Sequence, residues 1–291
     1  MRTKSIGRLA ATAFFSIAAA ASAPSQAIVV TGNNTAGDLA TAVAAGATGL
    51  TVTGQTLEGH GAVGVGAAVS SGTYTNASGT YGIGPGIVLS SGDVNHYNTG
   101  PNTSGSRTTS YGVGANASQQ TLLELISGPG SYLDVTRLDI TFTTTTGSVF
   151  FNVVFGSDEF PEFVNTTFID AFGLFIDVGT ASQENIAFVG GLPLNVNHPG
   201  MTPLAGTELD GVLAPDGNPI LTFSKAGLDT SPHTLTFIVA DRGDSAYDTT
   251  VYIGSLGGTE PPPPPGLPEP GSLLLLGAAL AGLAIVRRQR R

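Results

Sequence analysis

The 291-residue chain has no cysteine and no tryptophan, and only 11% of its residues are charged. Without cysteine there is no disulfide framework, no thiolate metal site and no thiol nucleophile. Basic residues are scarcer still where they matter. Of the 11 Lys and Arg, three lie in the first eight residues and four in the last five. Between Ile28 and Leu267 only Arg107, Arg137, Lys225 and Arg242 stand against twenty acids, a balance of −16 hidden inside an overall −10. Such a surface repels phosphate backbones, so no nucleic-acid partner is expected. What the chain does have is 41 glycines, 18 prolines and a hydrophobic fraction of 41%, enough for a sizeable core.

The basic ends read as addresses. Residues 1–27 carry Arg2, Lys4 and Arg8, an apolar stretch from Leu9 to Ala21, and the small-x-small triplets Ala21-Ser22-Ala23 and Ser25-Gln26-Ala27. These are the three parts of a secretory signal peptide, the alternative being a buried N-terminal helix. Export machinery and a signal peptidase are the partners it implies. At the other end, residues 259–267 hold the run Pro261 to Pro265, expected to be a stiff extended spacer. Residues 268–291 follow with Pro268-Glu269-Pro270, an apolar stretch from Leu273 to Val286, and Arg287, Arg288, Arg290 and Arg291. As a transmembrane helix, residues 271–286 would reach roughly 24 Å, short of a hydrocarbon core of about 30 Å unless the arginines snorkel. The arginines would stay cytoplasmic and the body outside.

This tail resembles the PEP-CTERM sorting signal of Gram-negative bacteria. The resemblance implies recognition by an exosortase at the inner membrane, then release of the body to the cell surface or the exopolysaccharide matrix. A plain tail anchor is the other reading.

The body, residues 28–258, is expected to be one all-β domain, an antiparallel β-sandwich of jelly-roll-like form with one short N-terminal helix. Thr35 and Asp38 suggest a variant capping box for that helix, with Leu39, Ala42 and Val43 as its apolar stripe and Gly46 as its end. The rest reads as strands. Leu138, Ile140 and Phe142 alternate with polar residues, and the same period of two recurs in Val149, Phe151, Val153 and Phe155, then in Leu235, Phe237 and Val239, and in Val251 and Ile253. Phe172, Leu174 and Ile176 supply a further inward face, and Gly, Pro and Asp turns separate the runs. The stretch from Gly59 to Ser118, rich in Gly, Ser, Asn and Thr, is expected to be long loops around a few strands.

Most motifs carry little chemistry. Gly59-His60-Gly61-Ala62-Val63-Gly64 has dinucleotide-loop spacing but no helix pattern after it. His60, His96, His198 and His233 lack metal spacing, no nucleophile elbow occurs, and Arg242-Gly243-Asp244 is read as a turn. Five Asn-x-Ser/Thr sequons are expected by chance in this composition.

The acids are more informative. Asp158, Glu159 and Glu162 follow directly on the strand ending at Phe155, with Asp170 a few residues on, and Asp241, Asp244 and Asp248 follow the strand ending at Ala240. Carboxylates on turns at strand ends are the hard oxygen ligands that calcium takes, and these six are the candidate metal ligands. The competing reading is that they brace turns by accepting local N–H bonds. Glycosidic hydrolysis by Asp158, Glu159 and Glu162 would need an acid–base pair and usually aromatic platforms, and the chain has no Trp. It is read as a non-enzyme without catalytic residues.

Residues 154–164, Val-Phe-Gly-Ser-Asp-Glu-Phe-Pro-Glu-Phe-Val, followed by Phe168 to Phe175, resemble the core motif of the choice-of-anchor L domain. Gly86 to Gly92 and Asp241 to Asp248 are similar to its flanking motifs, Arg242 standing where a small or polar residue is expected. The resemblance implies surface display and assigns no catalytic residue. The expected function is a structural or adhesive surface protein, associated with exopolysaccharide. The alternative is a calcium-dependent carbohydrate- or cell-binding module.

Overall fold

The computed structural model describes residues 28–259, so the signal-peptide and sorting-helix expectations lie outside the described residues. Among these, fifteen strands and two α-helices follow one another. They are β1 (Ile28–Gly32), α1 (Ala36–Val43), β2 (Leu50–Glu58), β3 (Ser71–Asn76), β4 (Gly86–Ser90) and α2 (Ala117–Ser127). Next come β5 (Tyr132–Thr144), β6 (Ser148–Ser157), β7 (Ala171–Ile176), β8 (Glu184–Asn185), β9 (Phe188–Val189), β10 (Leu192–Asn195) and β11 (Met201–Thr202). The last four are β12 (Gly211–Leu213), β13 (Leu221–Ala226), β14 (His233–Arg242) and β15 (Thr249–Gly257).

All strand pairing is antiparallel, in two sheets. One runs β1-β3-β4-β15-β6-β12-β11 with β13 also on β6, the other β2-β5-β14-β7-β10-β9 with β8 also on β7. The alternating residues read from the sequence explain why the sheets stack. Val149, Phe151, Val153, Phe155, Val251 and Ile253 of the first sheet share one buried cluster with Leu138, Ile140, Phe142, Phe172, Leu174, Ile176, Leu235, Phe237 and Val239 of the second. Phe151 and Phe237 meet edge to face across the sheets at 5.8 Å between ring centroids. The result is an antiparallel sandwich. Its last crossing is the turn from β14 to β15, which passes from one sheet to the other over residues 243–248.

The outer faces are covered too, which is why β6 and β7 are buried along nearly their whole length. Leu122, Leu123 and Ile126 of α2 pack on Ala171, Phe175 and Ile238 of the second sheet. Val94, Tyr97 and Leu209 pack on Val88, Val154 and Tyr252 of the first.

Two details depart from the sequence reading. At α1, Thr35 occupies the N-cap position but its side chain makes no capping bond. Asn33 instead braces the turn that enters the helix, accepting from the Thr35 N–H at 2.7 Å and donating to Asp38 Oδ2 at 3.0 Å. Helix α2 was not expected at all. Its Asn116 accepts from the Ser118 and Gln119 N–H groups while Gln119 Oε1 accepts from the Asn116 N–H, a complete capping box. Among the described residues no helix is long and apolar enough to cross a membrane.

Candidate functional site

The two acidic segments meet at one end of the sandwich. Strand β6 pairs Ser157 with Thr249 of β15, and one residue further the Asp158 N–H donates to the Asp248 carbonyl at 3.1 Å. Strand β14 delivers Asp241 from the other sheet. Its register against β5 slips between Val239 and Asp241, a bulge that turns the Asp241 carboxylate inward. Opposite the bulge, Asp134 takes a left-handed backbone (φ 49°) and its two carboxylate oxygens accept from the Tyr111 and Val113 N–H groups. That bond pair fastens the irregular segment before α2 over the site.

The Ser90-Ser91-Gly92 corner after β4 closes the third side. Thr249 N–H donates to Ser91 Oγ at 2.9 Å, and Thr250 and Ser90 hydroxyls bond at 2.8 Å. Gly92 is required by close approach: a Cβ there would stand 1.7 Å from Asp248 Oδ2.

Asp158, Glu159, Asp170, Asp241 and Asp248 are all buried at this end, Asp158, Asp170, Asp241 and Asp248 completely. Their surroundings differ. Asp158 accepts from the Tyr97 hydroxyl and the Asp210 N–H, both at 3.1 Å. Asp170 accepts from the Arg242 N–H at 2.9 Å and from Thr249 Oγ1 at 2.8 Å, the same hydroxyl lying 2.8 Å from Ser157 Oγ. Asp248 Oδ1 accepts from the Thr109 N–H at 3.0 Å, but its Oδ2 has no partner. Neither oxygen of Asp241 meets a donor in hydrogen-bond geometry, though the Ser91 hydroxyl and the Asp170 carboxyl lie beside it, and Glu159 Oε2 has no partner.

Burial pushes every one of these acids upward. Asp158 is raised to about 8, against two hydrogen bonds that pull it down and the charges of Asp210 and Asp248 that add to the rise. Glu159, covered but shallow, is raised to about 9 by burial and then by Asp170, Asp244 and Asp158. Asp170 rises to about 8 and Asp248 to about 7, each chiefly through burial. Asp241 is raised by burial and by the neighbouring charges of Asp170, Asp248 and Asp134. Among the described residues no basic side chain lies within 4.0 Å of any of the five; the ion pairs present join other residues.

Of the six residues singled out in the sequence, the fold thus gathers Asp158, Glu159, Asp241 and Asp248. Glu162 and Asp244 are exposed at the rim, and Asp244 braces its own turn by accepting the Ala246 N–H at 3.2 Å. Asp170 and Asp134 complete the cluster. Asp170 stands in the quoted core motif, whereas a lone Asp inside a strand carries no sequence signal. Arg242 causes no disturbance, because its backbone N–H serves Asp170 while its guanidinium turns away to the Thr167 and Pro129 carbonyls at 2.6 and 2.7 Å. Among the described residues no three acidic or imidazole side chains stand ready as a metal shell. The sorting residues Pro268, Glu269, Pro270, Arg287, Arg288, Arg290 and Arg291 lie outside the described residues.

In comparison with known families, the model of the choice-of-anchor L domain matches residues 28–203, more than half of the chain. That of the PEP-CTERM protein-sorting motif matches residues 267–291. No curated protein matches the chain. Ser91, Asp158, Glu159 and Asp170 fall within the first match, whereas Asp241 and Asp248 lie beyond it.

Proposed function

The chain belongs to the choice-of-anchor L domain family and carries an exosortase sorting motif that directs it to the cell envelope or surface. From that premise we propose that its sandwich serves there as a non-enzymatic, structural or adhesive component of the extracellular matrix of a Gram-negative bacterium. The observation that carries this reading is the sorting motif at residues 267–291, set behind a run of five prolines that follows the last strand. Non-enzymatic action is supported by the burial of Asp158 and Glu159, at 0% and 1% exposure, since carboxyls covered in this way have no access to a polymer substrate. The test is to express the tagged chain in an exosortase-bearing host and in an exosortase deletion, then to compare surface and matrix fractions and cell aggregation. Loss of the matrix-associated pool and of aggregation in the deletion is expected. Aggregation and matrix mass indifferent to the presence of the protein overturn the reading.

A second reading is favoured by the unpartnered buried oxygens of Glu159, Asp241 and Asp248: a calcium-dependent module that binds carbohydrate or a neighbouring cell. Calcium should then raise the melting temperature of the purified protein and strengthen its retention on the host's exopolysaccharide. A chelator that changes neither removes this reading.

A further inference from the structure

We infer that the acidic cluster holds a structural calcium ion between the two sheets, ligated by Asp241 and Asp248 with neutral oxygens around Ser91, and not by the exposed Glu162 and Asp244. This rests on the calcium binding of the second reading above, not on its contact with carbohydrate, and specifies where the ion sits and what it does.

The hydrogen bonds decide the ligands. Both carboxylate oxygens of Asp134, Asp158 and Asp170 already have donors. The oxygens left without a donor in hydrogen-bond geometry are both of Asp241, which has only the Ser91 hydroxyl and the Asp170 carboxyl beside it, Oδ2 of Asp248 and Oε2 of Glu159. Asp241 and Asp248 are 0% exposed, so bulk water does not reach the unpartnered oxygens. Among the described residues no base approaches these two, so burial leaves a proton or a metal ion as the compensation, and the response to calcium distinguishes them.

The donor set decides the ion. The groups beside the two carboxylates offer oxygen, the Ser91 hydroxyl among them, which suits a hard cation. Calcium accepts irregular shells in which neutral oxygens outnumber carboxylates, whereas magnesium asks for near-ideal octahedra and keeps its waters. Among the described residues no three acidic side chains converge, so the site has two carboxylates and needs neutral oxygens to complete it.

Topology decides the role. Asp241 stands near the end of β14 in one sheet, Asp248 immediately before β15 in the other, and Ser91 just after β4 beside β15. An ion held by all three clamps the crossing between sheets at the end where the chain changes layer. Its burial leaves no coordination site open to a sugar, so the ion stabilises the displayed body and does not bridge it to a ligand.

The test is thermal unfolding of the full chain, purified in non-ionic detergent, in chelator and in excess calcium. At calcium about a hundredfold above its dissociation constant the midpoint should rise by roughly 5–10 °C. Asp241→Asn and Asp248→Asn should abolish the rise, and Asp244→Ala with Glu162→Gln should keep it. Terbium emission excited through tyrosine, displaced by calcium, should appear in the wild type, because the Tyr111 hydroxyl bonds to the Gly92 carbonyl beside Asp248. If the inner variants fail to fold, this emission and the response of the Asp244→Ala, Glu162→Gln double variant decide in their place. A calcium response that survives Asp241→Asn and Asp248→Asn, or that is lost in the rim variants, overturns the inner site while leaving calcium binding intact. A wild type without midpoint shift or terbium emission overturns both.

Discussion

Consider Asp158→Asn. The carboxyl is fully buried, bonded to the Tyr97 hydroxyl and the Asp210 N–H, and raised from an ordinary 3.8 to about 8, mainly by burial. Between those two values the folded protein holds a proton there that the unfolded chain has released. Stability therefore falls as pH rises through the window from about 4 to about 8, and is unaffected by this group below it. At pH 7 the accumulated loss is roughly 4 kcal/mol, at about 1.4 kcal/mol for each pH unit. Asparagine has the same shape and no proton to keep. Its Oδ1 retains the Asp210 N–H, and its Nδ2 can donate to the Tyr97 oxygen once that hydroxyl turns its own hydrogen away, at a cost of about 1 kcal/mol. The net gain at pH 7 is then roughly 2–3 kcal/mol, or about 5–10 °C in a body of this size, while at pH 4 the variant should be slightly less stable than wild type. Thermal melts of both proteins in chelator at the two pH values measure it. A variant destabilised equally at pH 4 and pH 7 would show that Asp158 is held ionised, and would refute the argument.

Gly92→Ala should cost about 1–3 kcal/mol, because the added methyl must displace the Asp248 carboxylate; a melting temperature equal to wild type would contradict the close approach. Asn116→Ala removes the N-cap of α2 and should lower the urea midpoint by an amount equivalent to about 1 kcal/mol, with an unchanged m-value. Glu208 binds the Thr103 and Ser104 N–H groups, the Thr103 hydroxyl and Arg107. Partial burial acts upward on it, but the bonds from Thr103 and Arg107 outweigh this and hold it down at about 2. Its contribution is present above its ordinary 4.5 and is lost as pH falls toward 2. Amide exchange at residues 103–107 should then accelerate relative to the core, and Glu208→Gln should remove that difference.

The strands were legible because their burial is two-layered. Leu138, Ile140 and Phe142, or Leu235, Phe237 and Val239, point into the space between sheets, and a period of two is the direct trace of that geometry. Outer faces left a weaker trace. Ala171, Phe175 and Ile238 are covered by α2, which fills in the polar half of the alternation and blurs it. Helix α2 itself carried a readable capping pair in Asn116 and Gln119 and a stripe in Leu122, Leu123 and Ile126, but its start lies in the Gly- and Ser-rich stretch taken for loops. At α1 the capping pair read from Thr35 and Asp38 does not form, because Asn33 draws the Asp38 carboxylate into a bond of its own.

For the site, residue types and strand-end positions were enough to single out both acidic segments, because carboxylates beside Gly and Pro turns stand out in a chain with so little charge. Which of them matter was a question of long-range pairing. Asp241 is buried because a bulge against β5 turns it inward, and Asp248 because it precedes the strand beside β6; Asp244, between them, stays in the turn and faces water. Asp134 joins the cluster from 107 residues before Asp241 in the chain, through one left-handed residue in β5. Composition and motif thus settled where the chain is sent and that its body is a sandwich, since both depend on local pattern. Burial of charge depends on which strands lie side by side, and only the register of β6, β14 and β15 turned two separate acidic turns into one desolvated cluster.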